Sequence, residues 1–207
     1  MVSPAKGIFK DFSSGKGGNV VTFLMEHDQL NYPEALKWLA RKYNIEIVEE
    51  ELTEDQLIAN NTREGLYLAQ QYANDFFKDQ LYNTDEGKSI GLSYFKSRGY
   101  LESIQKEFEL GYSPLKIDAL HAKETKEGYA IENLEKAGIV KKSEKGWYDF
   151  YRGRVIFPIH NITGRIIGFG GRTLRTDKKV AKYFNSPESE IYNKSKVLYG
   201  MFQGKNS

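Results

Sequence analysis

A chain of 207 residues with a net formal charge of +2 accommodates one or two domains, and 40% hydrophobic with 14% aromatic residues suffices for a packed core. The absence of cysteine excludes disulfides, thiolate zinc sites and a cysteine nucleophile, and His27, His121 and His160 stand too far apart for a histidine metal cage. No run of about 18 apolar residues occurs and the start, MVSPAKGIFKDF, lacks a secretory apolar stretch, so a cytoplasmic protein without a membrane partner is expected.

In chain order, Gly7 to Lys10 reads as a short strand, and Ser13 to Gly18 as a glycine-permitted loop. Helices are expected from Asn19 to His27 and from Pro33 onward, the second placing Leu36, Leu39, Ala40 and Tyr43 on one face. An acidic run, Val48 to Leu52, reads as a linker. Thr53 with Gln56 has the spacing of a capping box for a helix reaching Asp79, with Leu68, Tyr72 and Phe76 at helical spacing. A short helix from Ile90 to Ser97 ends at Gly99 in a left-handed cap, and Ser103 is expected to cap another that leads to Phe108. Gly128 to Ala137 adds an amphipathic helix. Val155 to Ile159 and Arg165 to Phe169 read as a β-hairpin joined by Asn161 to Gly164, with Pro158 requiring an edge or a bulge in the first strand.

Charge is unevenly spread. Residues 141–207 hold 14 Lys or Arg against 5 Asp or Glu, a net of +9, whereas the first 140 residues carry −7. A basic block of this kind suits a polyanion, most simply nucleic acid; a solvated basic surface is an equal alternative. Within it, Arg152 and Arg154 alternate with Gly153 ahead of a strand, so a period of two puts both guanidinium groups on one face, where bidentate phosphate contacts are available. Ordinary salt bridges at a strand end are the competing explanation. Gly168, Gly170, Gly171 and Arg172 form a glycine-rich turn that lets another backbone approach, but not a dinucleotide fingerprint. Lys182 beside Tyr183, with Asn185 two residues on, pairs a phosphate-holding charge with a ring that can stack a base; a buried tyrosine with a solvent-facing lysine explains it otherwise. Arg98 fits a helix C-terminus equally well through the helix dipole.

The segment Phe150 to Gly200 closely resembles the N-terminal half of the RNA polymerase domain of bacterial DnaG-type primases. The hairpin resembles the R-V-x-F-P-I-x-x-x-x-G-R-x-I-G-F-G-G-R pattern, and Lys182-Tyr183-x-Asn185-Ser186-Pro187-Glu188, Lys194 and Leu198-Tyr199-Gly200 continue it in order. Tyr94-Phe95-x-x-Arg98-Gly99 and Phe108-x-Leu110-Gly111-Tyr112-Ser113-Pro114 are similar to the entry to that domain, and residues 7–47 to the latter half of the family's zinc-binding domain. The resemblance implies an α+β fold with a mixed sheet and a basic hairpin. It divides the chain into a zinc-ribbon-like remnant (1–50), a helical linker (51–85) and the N-terminal, template-binding subdomain of a primase catalytic core (86–207).

The implied function is that of a replicative DNA primase, a nucleotidyltransferase that makes RNA primers on single-stranded DNA. A non-catalytic single-strand-binding or interaction module derived from a primase is the alternative. Template or nucleotide contact is implied for Arg152, Arg154, Arg172, Lys182, Tyr183, Asn185 and Lys194, and less directly for Arg98. Phe150 stands where many relatives have a basic residue. Asp11 and Ser14 occupy the positions of the family's second Cys-x-x-Cys pair, and the first ligand pair falls upstream of Met1, so zinc is not expected. No catalytic residue is expected in these residues, and the chain alone is not expected to polymerise. Magnesium or manganese would be held by a Toprim subdomain beyond Ser207, and a replicative helicase would dock through a region further on.

Overall fold

The computed structural model describes residues 1–13, 15–27, 32–46, 54–127, 131–161, 163–175 and 181–206. Two compact units divide at Leu52 and Thr53.

In the first unit, β1 (Val2–Ser3), β2 (Ile8–Lys10) and β3 (Gly17–Asn19) form an antiparallel sheet in that order. Helix α1 (Val20–His27) starts directly from β3, and the Asn19 side chain accepts the Thr22 backbone N–H at 2.9 Å, satisfying a free helix donor. Phe9 and Phe23 meet edge to face at 5.3 Å, tying α1 to the sheet. Helix α2 (Tyr32–Tyr43) differs from expectation in its buried stripe. Ala35 and Ala40 are buried while Leu36 and Tyr43 are exposed, and α2 packs on α1.

The second unit is built on α3 (Glu54–Asn83). The capping box expected at Thr53 and Gln56 lies outside the described residues. Leu68, expected on the inner face, is exposed, and the buried stripe runs through Leu66, Ala69, Ala73, Phe77 and Leu81. The stretch expected as a linker is therefore a core helix. It packs on β4 (Gly111–Ser113) and β8 (Ile166–Thr173), and buried Gln70 donates to the Ala137 carbonyl at 3.1 Å. A π-helical turn (Gly87–Leu92) runs into α4 (Ser93–Ser97), and Gly99 (φ +77°) lies just beyond it. Helix α5 (Glu102–Glu107) starts at Leu101 without the side-chain cap expected from Ser103. Helices α6 (Ala119–Glu127) and α7 (Ile131–Lys136) are followed by a hairpin of β5 (Val140–Ser143) and β6 (Gly146–Asp149) that the sequence pattern did not reveal.

The main sheet has the order β4-β7-β8-β9, with β7 at Arg154–His160 and β9 at Tyr183–Asn185. The fold is α+β, but every ladder among the described residues is antiparallel, so the mixed sheet is not found. Strand β7 lies inside the sheet, not at its edge. Pro158 is tolerated because β4 pairs only with Arg154 to Ile156, and a register shift follows at Ile159/His160.

One face of this sheet packs Ile156, Phe169 and Tyr151 against Phe77 of α3. On the other, Tyr112 and Val155 pack with Phe95 and Leu81. Tyr151 is fully buried, and its hydroxyl bonds the Phe169 carbonyl (3.2 Å) and Ser186 Oγ (2.8 Å), while Ser186 Oγ accepts from the Phe169 N–H (2.9 Å). This knot holds the chain after β9 against β8.

Candidate nucleic-acid interface

Residues paired across an antiparallel sheet point to the same face, and this rule sorts the basic residues. Val155, Arg172 and Tyr183 are cross-strand partners, as are Phe157, Gly170 and Asn185, so Arg172, Tyr183 and Asn185 share a face. Arg154 pairs with Thr173 and falls on the opposite face. The basic residues are thus divided between the two faces of the sheet.

On the first face, Arg98, Arg172, Lys182 and Tyr183 line a pocket of about 480 Å³ with Tyr94, Gly99 and Tyr100. Arg172 is 7% exposed. Its guanidinium lies 4.4 Å from the Tyr94 ring centre and 5.5 Å from that of Tyr183. Its Nε and Nη1 are buried without a hydrogen-bond partner among the described residues. Arg98, just past the end of α4, lies 5.7 Å from the same Tyr94 ring centre. Asn185 and Lys194 line an adjoining cavity that shares Tyr94, Tyr100 and Tyr183 with this pocket.

On the second face, Arg152, Arg154 and Arg175 line a pocket of about 250 Å³ with Phe150 and Thr173. Arg152 is not on the strand, as its alternation with Arg154 implied. It sits in the turn before β7, where Gly153 takes a φ of +66°, and the turn still delivers it to the same pocket. Arg154 is buried over the Phe184 ring at 3.9 Å, and burial lowers its pKa. Its Nη1 makes one long bond, 3.5 Å, to the Lys182 carbonyl.

None of Arg98, Arg152, Arg154, Arg172, Lys182 or Lys194 forms an ion pair among the described residues. The contrast is Arg165 in the same hairpin, which meets both Glu64 carboxylate oxygens at 2.8 Å and lies over Tyr67 at 3.6 Å. Arg165 is thus structurally satisfied, and the others present guanidinium and ammonium groups with no carboxylate paired to them among the described residues. Sequence reading missed Tyr94, Tyr100 and Arg175. Tyr94 left a signal: in the adjacent pair Tyr94-Phe95, Phe95 is wholly buried, which sends Tyr94 to another side of the helix.

The first unit bears on zinc. Asp11 Oδ1 accepts from the Ser13 N–H at 3.0 Å and the Ser13 hydroxyl at 2.7 Å, an Asx-type turn. Lys10 Nζ bonds the Gly15 carbonyl at 2.7 Å. With no cysteine in the chain and Asp11 closing a local turn, the donors present do not fit a zinc knuckle. Among the described residues no group of three or more His, Cys, Asp or Glu stands together to hold a metal, and no helix is long and apolar enough to cross a membrane.

The α+β unit thus carries arginines on both faces of one sheet, interleaved with aromatic rings, a pattern of charge and ring that suits a polyanion. The comparisons specify the family. Residues 76–205 match the family described as DNA primase catalytic core, N-terminal domain, and residues 1–55 the CHC2 zinc finger. DNA primases of Halalkalibacterium halodurans and Pseudomonas putida are 37% and 36% identical, each over 99% of this chain and over 34% and 31% of their own lengths. The chain therefore spans about a third of the length of these curated relatives. Among solved structures, the Aquifex aeolicus primase zinc-binding and RNA polymerase domains share 33% identity at a TM-score of 0.60, covering 97% of this chain and 46% of that one. A DnaG primase catalytic domain bound to single-stranded DNA shares 32% identity at a TM-score of 0.65, covering 71% and 46%. The chain belongs to the DnaG-type bacterial DNA primase family.

Proposed function

We propose that this chain is the template-handling part of a DNA primase, holding single-stranded DNA while RNA primers are laid down during replication. The observation that carries the reading is Arg172, a nearly buried guanidinium without a hydrogen-bond partner at Nε and Nη1, set between two tyrosines and facing a pocket with Arg98 and Lys182. A buried charge without a counter-charge is costly, and a phosphate supplies the missing acceptors. Support also comes from the family match and from the related catalytic domain bound to single-stranded DNA.

In this reading Arg98, Arg172 and Lys182 hold phosphates on one face, and Tyr183 stacks a base. Arg152 and Arg154 hold the strand where it passes the other face, and Asn185 and Lys194 meet template or incoming nucleotide. The parent enzyme is a DNA-directed RNA polymerase acting in the cytoplasm. Its magnesium or manganese ions are held by carboxylates of a Toprim subdomain outside these residues, and it meets the replicative helicase through a further region. The first unit keeps its hairpin without zinc, through the Asp11 turn.

Fluorescence anisotropy with a single-stranded oligonucleotide at two salt concentrations tests the site. Lys182→Ala and Tyr183→Ala each weaken binding about tenfold, in line with about 1–3 kcal/mol per stacked base, and only the lysine change flattens the salt dependence. Unchanged affinity in both variants defeats the assignment.

A further inference from the structure

We infer that a cavity between the end of α3, the π-helical turn and α5 is a ligand site for a small organic anion that carries an N–H or O–H donor on an apolar body. It lies outside the residues assigned to template or nucleotide and does not rest on that reading.

The cavity has a volume of about 590 Å³, within the ~300–1,000 Å³ range of small-molecule sites. Its position follows from the backbone. π-Helical turns are rare and appear frequently at functional sites. Here the turn (Gly87–Leu92) begins at a glycine whose Cβ, if present, would overlap the Gln80 carbonyl oxygen of α3. The turn is thus seated on α3 through bare backbone, and its Lys88 and Leu92 become cavity wall.

Two polar atoms define what the occupant must offer. Gln105 is 6% exposed; its Nε2 donates to the Tyr100 carbonyl at 2.9 Å, while its Oε1 has no partner among the described residues. The Tyr82 hydroxyl is also buried without a partner among them, and burial raises its pKa, so it keeps its proton. Both residues line the cavity. A carboxamide oxygen only accepts and a phenol donates as well as accepts, so the complement is an N–H or O–H group with an acceptor near it. Such bonds are costly to leave unmade and are strengthened by shielding from water.

Charge and apolar surface supply the rest. Lys88 and Lys96 line the cavity and form no ion pair among the described residues, whereas Glu102 beside them is engaged by Lys106 at 2.6 Å. The excess is positive and favours an anion. Leu92, Tyr100 and Leu101 add apolar wall, and Leu101 is 68% exposed. Water alone satisfies the polar atoms but leaves that surface wet.

The probe is indole-3-acetate, whose ring N–H, apolar ring and carboxylate meet these requirements; 1-methylindole-3-acetate lacks the N–H. Backbone and carboxamide NMR shifts of the full chain are followed. Saturable shifts at Tyr82, Leu92 and Gln105 are expected, with a Kd of about 1 mM, ordinary for a molecule of this size. The methylated probe binds about fivefold more weakly, the worth of one net hydrogen bond. Ser93→Trp, at an exposed position on the cavity wall, fills the cavity and abolishes the shifts. Lys88→Ala with Lys96→Ala weakens binding about threefold or more and guards against a folding defect in the first variant. Lys182→Ala binds the probe as wild type does, and a saturating single-stranded oligonucleotide does not displace it. Shifts gathered instead at Tyr183 and Lys194, or equal binding of the two probes, overturn the site. Complete displacement by the oligonucleotide overturns it too, because the cavity then lies on the path of the strand. If the oligonucleotide fails to bind while the probe still shifts Gln105, the template reading falls and this site stands.

Discussion

Replacing Arg172 with leucine separates the cost of this residue to the fold from its use. Its Nε and Nη1 find no acceptor among the described residues, and a buried donor without a partner costs about 1–3 kcal/mol, so the two together cost roughly 2–6 kcal/mol. Stacking against Tyr94 at 4.4 Å and Tyr183 at 5.5 Å returns about 0.5–2 kcal/mol per ring. The balance leaves arginine disfavoured by roughly 1–2 kcal/mol. Leucine keeps apolar contact with the rings and needs no acceptor. Arg172→Leu is expected to raise the melting temperature of the second unit by about 2–8 °C, from the roughly 2–4 °C per kcal/mol typical of this size. It also weakens single-stranded DNA binding tenfold or more, since a hydrogen bond to a charged group is worth about 1.5–3 kcal/mol. Scanning calorimetry and salt-dependent anisotropy on the same preparation read both effects. A variant that melts lower yet binds unchanged would show that the guanidinium serves the fold, and the reasoning fails.

Glu109 gives a pH prediction. Its carboxyl is held down to about 2, first by the hydrogen bond from His160 (3.0 Å), against burial, and further by Lys78 (2.8 Å). A lowered folded-state pKa means the unfolded chain binds more protons in acid, so this contribution is complete above the ordinary value near 4.5 and is lost as pH falls towards about 2. It amounts to about 2–3 kcal/mol. Urea melts at stepped pH are expected to show a steeper acid loss for wild type than for Glu109→Gln, and parallel curves would contradict it. Elemental analysis of the purified chain is expected to find no stoichiometric zinc, and a chelator to leave its melting unchanged; one zinc per chain overturns the Asx-turn account. Arg165→Ala is expected to cost at most about 1 kcal/mol, the value of an exposed pair, with DNA affinity intact, whereas reduced affinity would place Arg165 in the interface.

The hairpin was legible because β-branched runs flank Asn161 to Gly164, whose asparagine carboxamide accepts from Thr163 and Arg165 as a turn requires. Lys182, Tyr183, Arg172 and Arg98 were legible one by one as cation and ring chemistry. Their partition between faces was not, because it depends on register: Arg154 meets Thr173, and a shift of one residue would have put it beside Arg172. Helix α3 was misread as a linker because its inner stripe mixes alanines with buried Gln70 and Asn74, which weakens the apolar period. The β5–β6 hairpin escaped because Lys141, Lys142 and Lys145 break any apolar alternation. Two of these lysines lie over rings, Lys141 3.9 Å from Phe150 and Lys142 5.6 Å from Trp147.

The two arginine pockets are on opposite faces but not mechanically independent. The Lys182 carbonyl accepts from the Thr173 N–H at 3.0 Å and, at 3.5 Å, from Arg154 Nη1, while Lys182 also lines the pocket of Arg172. Thr173 itself follows Arg172 and borders the pocket of Arg154. Antiparallel pairing thus fixes the spacing of the two pockets through backbone, with no flexible linker between them. A polymer with charges at regular intervals gains from such fixed spacing, because its second contact costs no further ordering of the protein. A small anion has no use for the second pocket. In the proposed reading, a chain-like ligand passing the sheet edge uses the charge on both sides of β8 and β9, whereas an isolated phosphate group uses only half of it.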